Sequence, residues 1–365
     1  MPYEKIVKGY PLYLAGDIGG TKTLLGLYSL KGTALSLVRE RKFSSQDWQS
    51  LTPLIQGFLD EMTLTPEDIT GGCLSLAGPI TEETCLLTNL NKVIHFRSLR
   101  STLNFQRPLL FVNDLEAMGQ GLMVLKNEDL LCLNPSVSNS SSSTTYATTS
   151  TSTSTSHPTS ASTSKSISQS SLNRALIAPG TGLGEAMILG NHQIFATEGA
   201  HRDYAPCTEQ EIRLLRFLAQ KYSHVSYERI LSGPGLTNIY HFLRLETHPH
   251  SLYDPVPAPE EITKRALAGI CPLCTETLEL FIKILGAEAG NLALMTLAYG
   301  GIYLGGGISP KILPKLQEGG FMEAFLAKGR FRDLLSTIPI YVILNERAPL
   351  LGAAYLAATA EYPKN

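Results

Sequence analysis

The chain has 365 residues, of which 43% are hydrophobic and 17% charged, with a formal net charge of −2. That length suits about two domains with sizeable cores, and the near-neutral balance excludes the basic excess on which nucleic-acid and membrane-surface binding rely. The opening MPYEKIVKGYP lacks a long apolar leader, and the most apolar later stretch, 278–307, is interrupted by Glu279, Lys283, Glu288 and Asn291. The expectation is therefore a cytoplasmic protein with no nucleic-acid or membrane partner.

Leu12-Tyr13-Leu14 reads as a strand, Gly16-Asp17-Ile18-Gly19-Gly20-Thr21 as a tight turn, and Leu24 to Leu30 as a second strand. Lys22 comes too soon for a P-loop, and GxGxxG cannot be laid on these glycines. A strand–turn–strand unit with this much glycine brings backbone N–H groups close to an anion, although an ordinary buried hairpin has the same pattern. Leu35-Ser36-Leu37-Val38 reads as a third strand, and Trp48 to Met62 has helical spacing of Leu51, Leu54, Ile55, Phe58 and Leu59. Gly72 to Ala77 and Arg107 to Val112 are further strands, the second closed by Asn113-Asp114. The pattern is mixed α/β.

From Ser136 to Ser171 the chain is almost all Ser and Thr. With so few apolar side chains to offset ordering entropy, 136–171 is expected to be a disordered insertion. Arg174 to Ala178, Pro179-Gly180-Thr181-Gly182-Leu183-Gly184 and Glu185 to Leu189 then repeat strand, glycine turn and strand. Helices are expected over Glu209–Tyr222, 260–270, 275–298 and Pro349–Tyr362, with a short strand before Gly305-Gly306-Gly307. Such a glycine turn at a strand's C-terminal end suits a ligand edge. Of six cysteines, only Cys271 and Cys274 have metal-like spacing, and with no second CxxC free thiols are expected.

Asp114 follows an apolar strand that can aim its carboxylate, as a base acting on a hydroxyl requires; the plainer reading is a helix N-cap. Two glycine hairpins, one in each half, suggest two related domains that hold one phosphate chain.

Several stretches occur together in the order of one family: Gly16-Asp17-Ile18-Gly19-Gly20-Thr21, Val112-Asn113-Asp114, Gly180-Thr181-Gly182-Leu183-Gly184, Glu198-Gly199-Ala200-His201, His224 to Leu236, and Gly305-Gly306-Gly307-Ile308. On them the chain resembles the bacterial glucokinases of the hexokinase/actin-like ATPase superfamily. The resemblance implies a two-domain α/β actin-like ATPase (ribonuclease H-like) fold with a central substrate cleft. It implies a small domain of 1–124 joined by the C-terminal helix 347–365, and a large domain of 125–346. The implied reaction is phosphorylation of glucose at its 6-hydroxyl by ATP; a kinase for another hexose and a non-catalytic sugar sensor are the alternatives.

The resemblance makes Asp114 the catalytic base and gives the sugar to Asn113, Glu198, His201 and Glu228, with Asp203 and Asn89 in support. ATP would meet Gly16, Asp17, Ile18, Gly19, Gly20 and Thr21 from one domain, and Gly180, Thr181 and Gly182 from the other. Gly305 and Gly306 would border the adenosine. Asp17 would sit beside Mg²⁺ through water, because a carboxylate in a phosphate turn needs a shared cation. A homodimer is also in keeping with the resemblance. Ala200 departs from the family's EGGH, and if its backbone required φ > 0 it would be strained.

Overall fold

The computed structural model describes residues 9–32, 34–87, 90–135, 171–190, 193–247 and 255–360. The Ser/Thr-rich stretch, apart from Ser171, and Asn89 lie outside the described residues. The chain divides into two compact units: Met1–Leu130, Ile194–Thr197 and Ile343–Asn365 form the first, and Leu131–Gln193 and Glu198–Val342 the second.

In the first unit β1 (Leu12–Ile18), β2 (Lys22–Lys31), β3 (Ala34–Ser44), β4 (Gly71–Leu76) and β7 (Leu109–Asn113) form a sheet in the order β3-β2-β1-β4-β7. β5 (Thr84–Leu87) and β6 (Lys92–His95) make a separate antiparallel pair. β1 and β2 are antiparallel, whereas β1–β4 and β4–β7 run parallel. Alternation along β1 sends Leu12 and Leu14 to one face and Tyr13 and Ala15 to the other. The first pair packs with α1 (Leu51–Asp60) and α2 (Phe96–Leu103) through Ile55, Phe58, Leu99 and Leu103. The second pair packs against Leu350, Ala353, Ala354 and Ala357 near the C-terminus. Burial on both faces explains why β1 is almost continuously apolar. β3 runs to Ser44, well beyond the four residues expected, and carries Arg39, Glu40, Arg41 and Lys42 along an exposed edge. Such charge is how sheet edges resist pairing with other chains, and it hides the strand from hydrophobic periodicity.

β8 (Leu130–Cys132), β9 (Arg174–Pro179), β10 (Leu183–Leu189), β11 (Gln193–Thr197), β12 (Ile302–Leu304) and β13 (Ile340–Ile343) form a six-stranded sheet in the order β11-β10-β9-β12-β13-β8. After α3 (Asp114–Gly121), the helices are α4 (Glu209–Ala219), α5 (Gly233–Thr247), α6 (Pro259–Leu267), α7 (Pro272–Thr296), three short ones (Leu313–Leu316, Gly320–Leu326 and Arg332–Ser336) numbered α8 to α10, and α11 (Ala348–Thr359). α7 is buried along most of its length at the centre of the second unit. Cys271 caps it, its Sγ accepting from the Cys274 N–H at 3.2 Å. α5 has no counterpart among the expected helices, since its glycine-rich start reads as turn. Among the described residues no helix is long and apolar enough to cross a membrane.

Candidate active site

The turn between β1 and β2 is a tight hairpin in which Asp17 pairs with Leu24 and Ile18 with Thr23. Gly19 donates its N–H to the Lys22 carbonyl at 3.0 Å, so of the turn's amides that one is spent closing the hairpin. Gly16 and Ile18 lie within the strand. A Cβ on Gly16 would come within 2.5 Å of Leu74, and Ile18 is fully buried, so core packing fixes both identities.

Three residues outside the motif brace the turn. The Ser45 hydroxyl donates to the Gly19 carbonyl at 2.7 Å and shares a 2.8 Å hydrogen bond with Thr23, whose Oγ1 also accepts from the Trp48 indole at 3.0 Å. No local pattern announces them, because Ser45 lies 22 residues beyond Thr23.

Asp17 is only partly exposed, and burial pushes its carboxyl up to about 6 against the opposing effects of Lys22 and a long Ser75 hydrogen bond. In the unfolded chain the same group ionises in the ordinary carboxylate range. Between that range and about pH 6 the folded state therefore binds more protons, so stability falls as pH rises and stays lowered above it. Asp17→Asn should accordingly melt at or above the wild-type temperature at pH 7.5 without ligand, with the difference vanishing near pH 4. Thermal melts across that range check the sign.

Parallel pairing brings a second group to the same sheet edge. Ile18 is level with Leu76, and Leu76 with Asn113, so β1, β4 and β7 end together. Two inter-strand spacings put the ends of β1 and β7 about 10 Å apart. Asn113 is the N-cap of α3: its Oδ1 accepts from the Leu115 N–H at 2.9 Å. Asp114 is therefore the first helical residue rather than the cap, and its Oδ1 also accepts from Leu115 N–H, at 3.0 Å. The helix N-terminus favours negative charge at this position.

In the second unit the β9–β10 hairpin has the same construction. Gly180 donates to the Gly182 carbonyl at 2.8 Å, leaving the amides of Thr181 and Gly182 at the turn. Gly305 donates to Ile177 at 2.8 Å and Ile308 to Pro179 at 3.1 Å, which lays the 305–307 turn along the end of β9. Gly306 has φ +72°, and a Cβ there would collide with the Pro179 carbonyl, so only glycine fits.

Glu228 lies against this hairpin, its Oε2 accepting from Leu183 N–H at 3.1 Å. A Cβ on Gly182 would sit 2.6 Å from that oxygen. Glu198 precedes and His201 ends a 3₁₀ turn, Gly199–His201, with His201 Nε2 3.6 Å from Glu198 Oε2 and both side chains largely exposed. Ala200 is not among the residues with positive φ; it is buried in the core of the second unit. Alanine therefore carries no backbone strain here, and its methyl fills space. Asp203 meets His224 at 2.9 Å on an exposed surface.

A family model described as Glucokinase matches residues 14–151 and 145–360. The glucokinase of Synechocystis sp. strain PCC 6803 is 35% identical over 95% of this chain and 98% of its own length. That of Nostoc sp. strain PCC 7120 is 37% identical over 95% and 99%. Among solved structures, a glucokinase from an Antarctic psychrotroph superposes with a TM-score of 0.75 at 26% identity, covering 95% of this chain and 99% of that one. A Balamuthia mandrillaris glucokinase in complex with glucose has a TM-score of 0.74 at 22% identity, covering 98% and 97%, and supports the fold alone.

Proposed function

The chain belongs to the glucokinase family, and from that premise we propose that it transfers the γ-phosphoryl group of ATP to the 6-hydroxyl of glucose, giving glucose 6-phosphate and ADP. The observation that carries the mechanism is the placing of Asp114 at the shared end of β1, β4 and β7, on the same sheet edge as the Gly19–Thr21 turn.

The donor set at that edge fits a nucleotide with Mg²⁺. Asp17 is a carboxylate that burial disfavours in its ionised form, which a cation would relieve. A cation held mainly by nucleotide phosphates and water suits a single carboxylate. When bound, MgATP supplies the transferable phosphoryl group and neutralises its charge. The amides of Gly20, Thr21, Thr181 and Gly182 donate to phosphate oxygens, and Gly305 and Gly306 border the adenosine.

Asp114 orients the sugar hydroxyl and accepts its proton as the oxygen–phosphorus bond forms; the electron pair of the breaking bond leaves with ADP. Asn113 has its Oδ1 committed to the cap, so it serves the sugar as a donor through Nδ2. Glu198 and Glu228 accept from neighbouring hydroxyls and His201 donates or accepts. An epimer that leaves these groups unpaired is penalised.

The deciding assay is ADP release from MgATP with glucose, mannose, fructose, galactose, N-acetylglucosamine or no sugar. Glucose-dependent turnover is expected, and glucose binding without turnover would overturn the reading.

Gly182→Ala tests the placing of Glu228. The methyl meets the end of a flexible side chain, so stability should change by only about 1 kcal/mol. Glu228 must swing away from Leu183, so the KM for glucose should rise severalfold. Wild-type KM in a folded variant would remove Glu228 from the sugar site.

A further inference from the structure

Arg202 directly follows His201, and nothing in the reaction needs its charge. Its guanidinium nevertheless reaches three separate elements. Nε donates to the Gly199 carbonyl at 2.8 Å, within the turn that carries Glu198 and His201. Nη2 contacts Glu185 of β10 at 3.2 Å and Glu288 of α7. Both of those glutamate side chains are 0% exposed.

The network continues to the other sugar segment. Asn291 Nδ2 donates to Glu288 Oε2 at 3.0 Å and to the Tyr227 hydroxyl at 3.1 Å, while Lys328 Nζ donates to Asn291 Oδ1 at 2.6 Å. Tyr227 precedes Glu228, and its own N–H donates to the Arg202 carbonyl at 3.3 Å.

Resting on the glucokinase reading, we propose that Arg202 is a positioning residue for glucose, clamping the Glu198–His201 turn and the Tyr227–Glu228 segment to β10 and α7. The exposed Glu198 and His201 side chains meet each other only at 3.6 Å, so the backbone beneath them decides where they point. Buried carboxylates need a paired cation, and a planar guanidinium can serve a carbonyl and two carboxylates in fixed directions at once. An ammonium cannot, so lysine keeps the charge but loses the clamp. Misplacement of a substrate-holding group by about 1 Å is enough to change rates a hundredfold.

The test compares Arg202→Lys, Arg202→Met, and Arg202→Met combined with Glu185→Gln and Glu288→Gln. Arg202→Met alone removes the cation from beside two buried carboxylates and is expected to unfold readily; the triple variant neutralises them and should recover thermal stability. Glucose Kd is read by calorimetry, and kcat with the KM for glucose and for ATP by ADP release. Arg202→Lys and the triple variant are expected to weaken glucose binding about tenfold or more while the KM for ATP stays within about twofold. Wild-type glucose affinity in the folded triple variant would reduce Arg202 to a stabilising ion pair and overturn the proposal. A wild-type protein that binds glucose without turnover would sink the kinase reading, whereas the Kd ratio would still decide this one. Absence of both binding and turnover in the wild type would sink both.

Discussion

Asp114→Asn should lower the glucose-dependent kcat by about 10²–10⁴-fold, the range expected for removal of a general base. The variant keeps an oxygen that can accept from Leu115 N–H, and Asn113 caps the same helix independently, so the fold should hold. The KM for ATP should be little changed, because the interaction lost is one made with the hydroxyl in the transition state. A folded Asp114→Asn variant with near wild-type kcat would remove Asp114 from catalysis. Asn113 is the helix N-cap, and Asp114 shares the same Leu115 N–H as the first helical residue.

The second large effect concerns the scaffold. α3 and α11 meet backbone to backbone in the first unit: a Cβ on Gly352 would collide with the Ala117 carbonyl, and one on Gly121 with the Ala348 carbonyl. Main-chain atoms cannot rotate away as a side chain can. Gly352→Ala should therefore cost about 3 kcal/mol, lowering the melting temperature by roughly 6–12 °C. Exposed Gly57 in α1 is the control, since a Cβ there meets nothing within 4 Å and alanine should be neutral or stabilising. Because Asp114 opens α3, loosening this contact should also reduce kcat. Unchanged melting of Gly352→Ala would show that α11 does not seat against α3 as described.

Both glycine turns are legible as strand–turn–strand because their flanks are apolar and their centres contain glycine, and each is an antiparallel hairpin. The β7–α3 junction is equally legible from an apolar run ending in Asn-Asp. Only the start of β3, Leu35 to Val38, is legible; its run on to Ser44 is not, since the edge position selects charged residues that erase the periodicity. α5 is hidden by glycines and a proline in its first turn. Within the hairpins the sequence does not reveal which amides remain for a ligand, because Gly19 and Gly180 spend theirs closing the turn.

Sequence alone determined β1, β2, β4, β7, β9, β10 and β12, the glycine turns and the Asn113-Asp114 junction, but not β5, β6, β8, β11 or β13. The elements it determined follow from local sterics and from which side chains avoid water, and both are written residue by residue. Only the tertiary structure decided the partners. Ser45 comes to Gly19 across 26 residues and Glu288 to Arg202 across 86. A buried charge or hydroxyl is satisfied by whichever distant segment the fold brings to it, and no local pattern encodes that meeting.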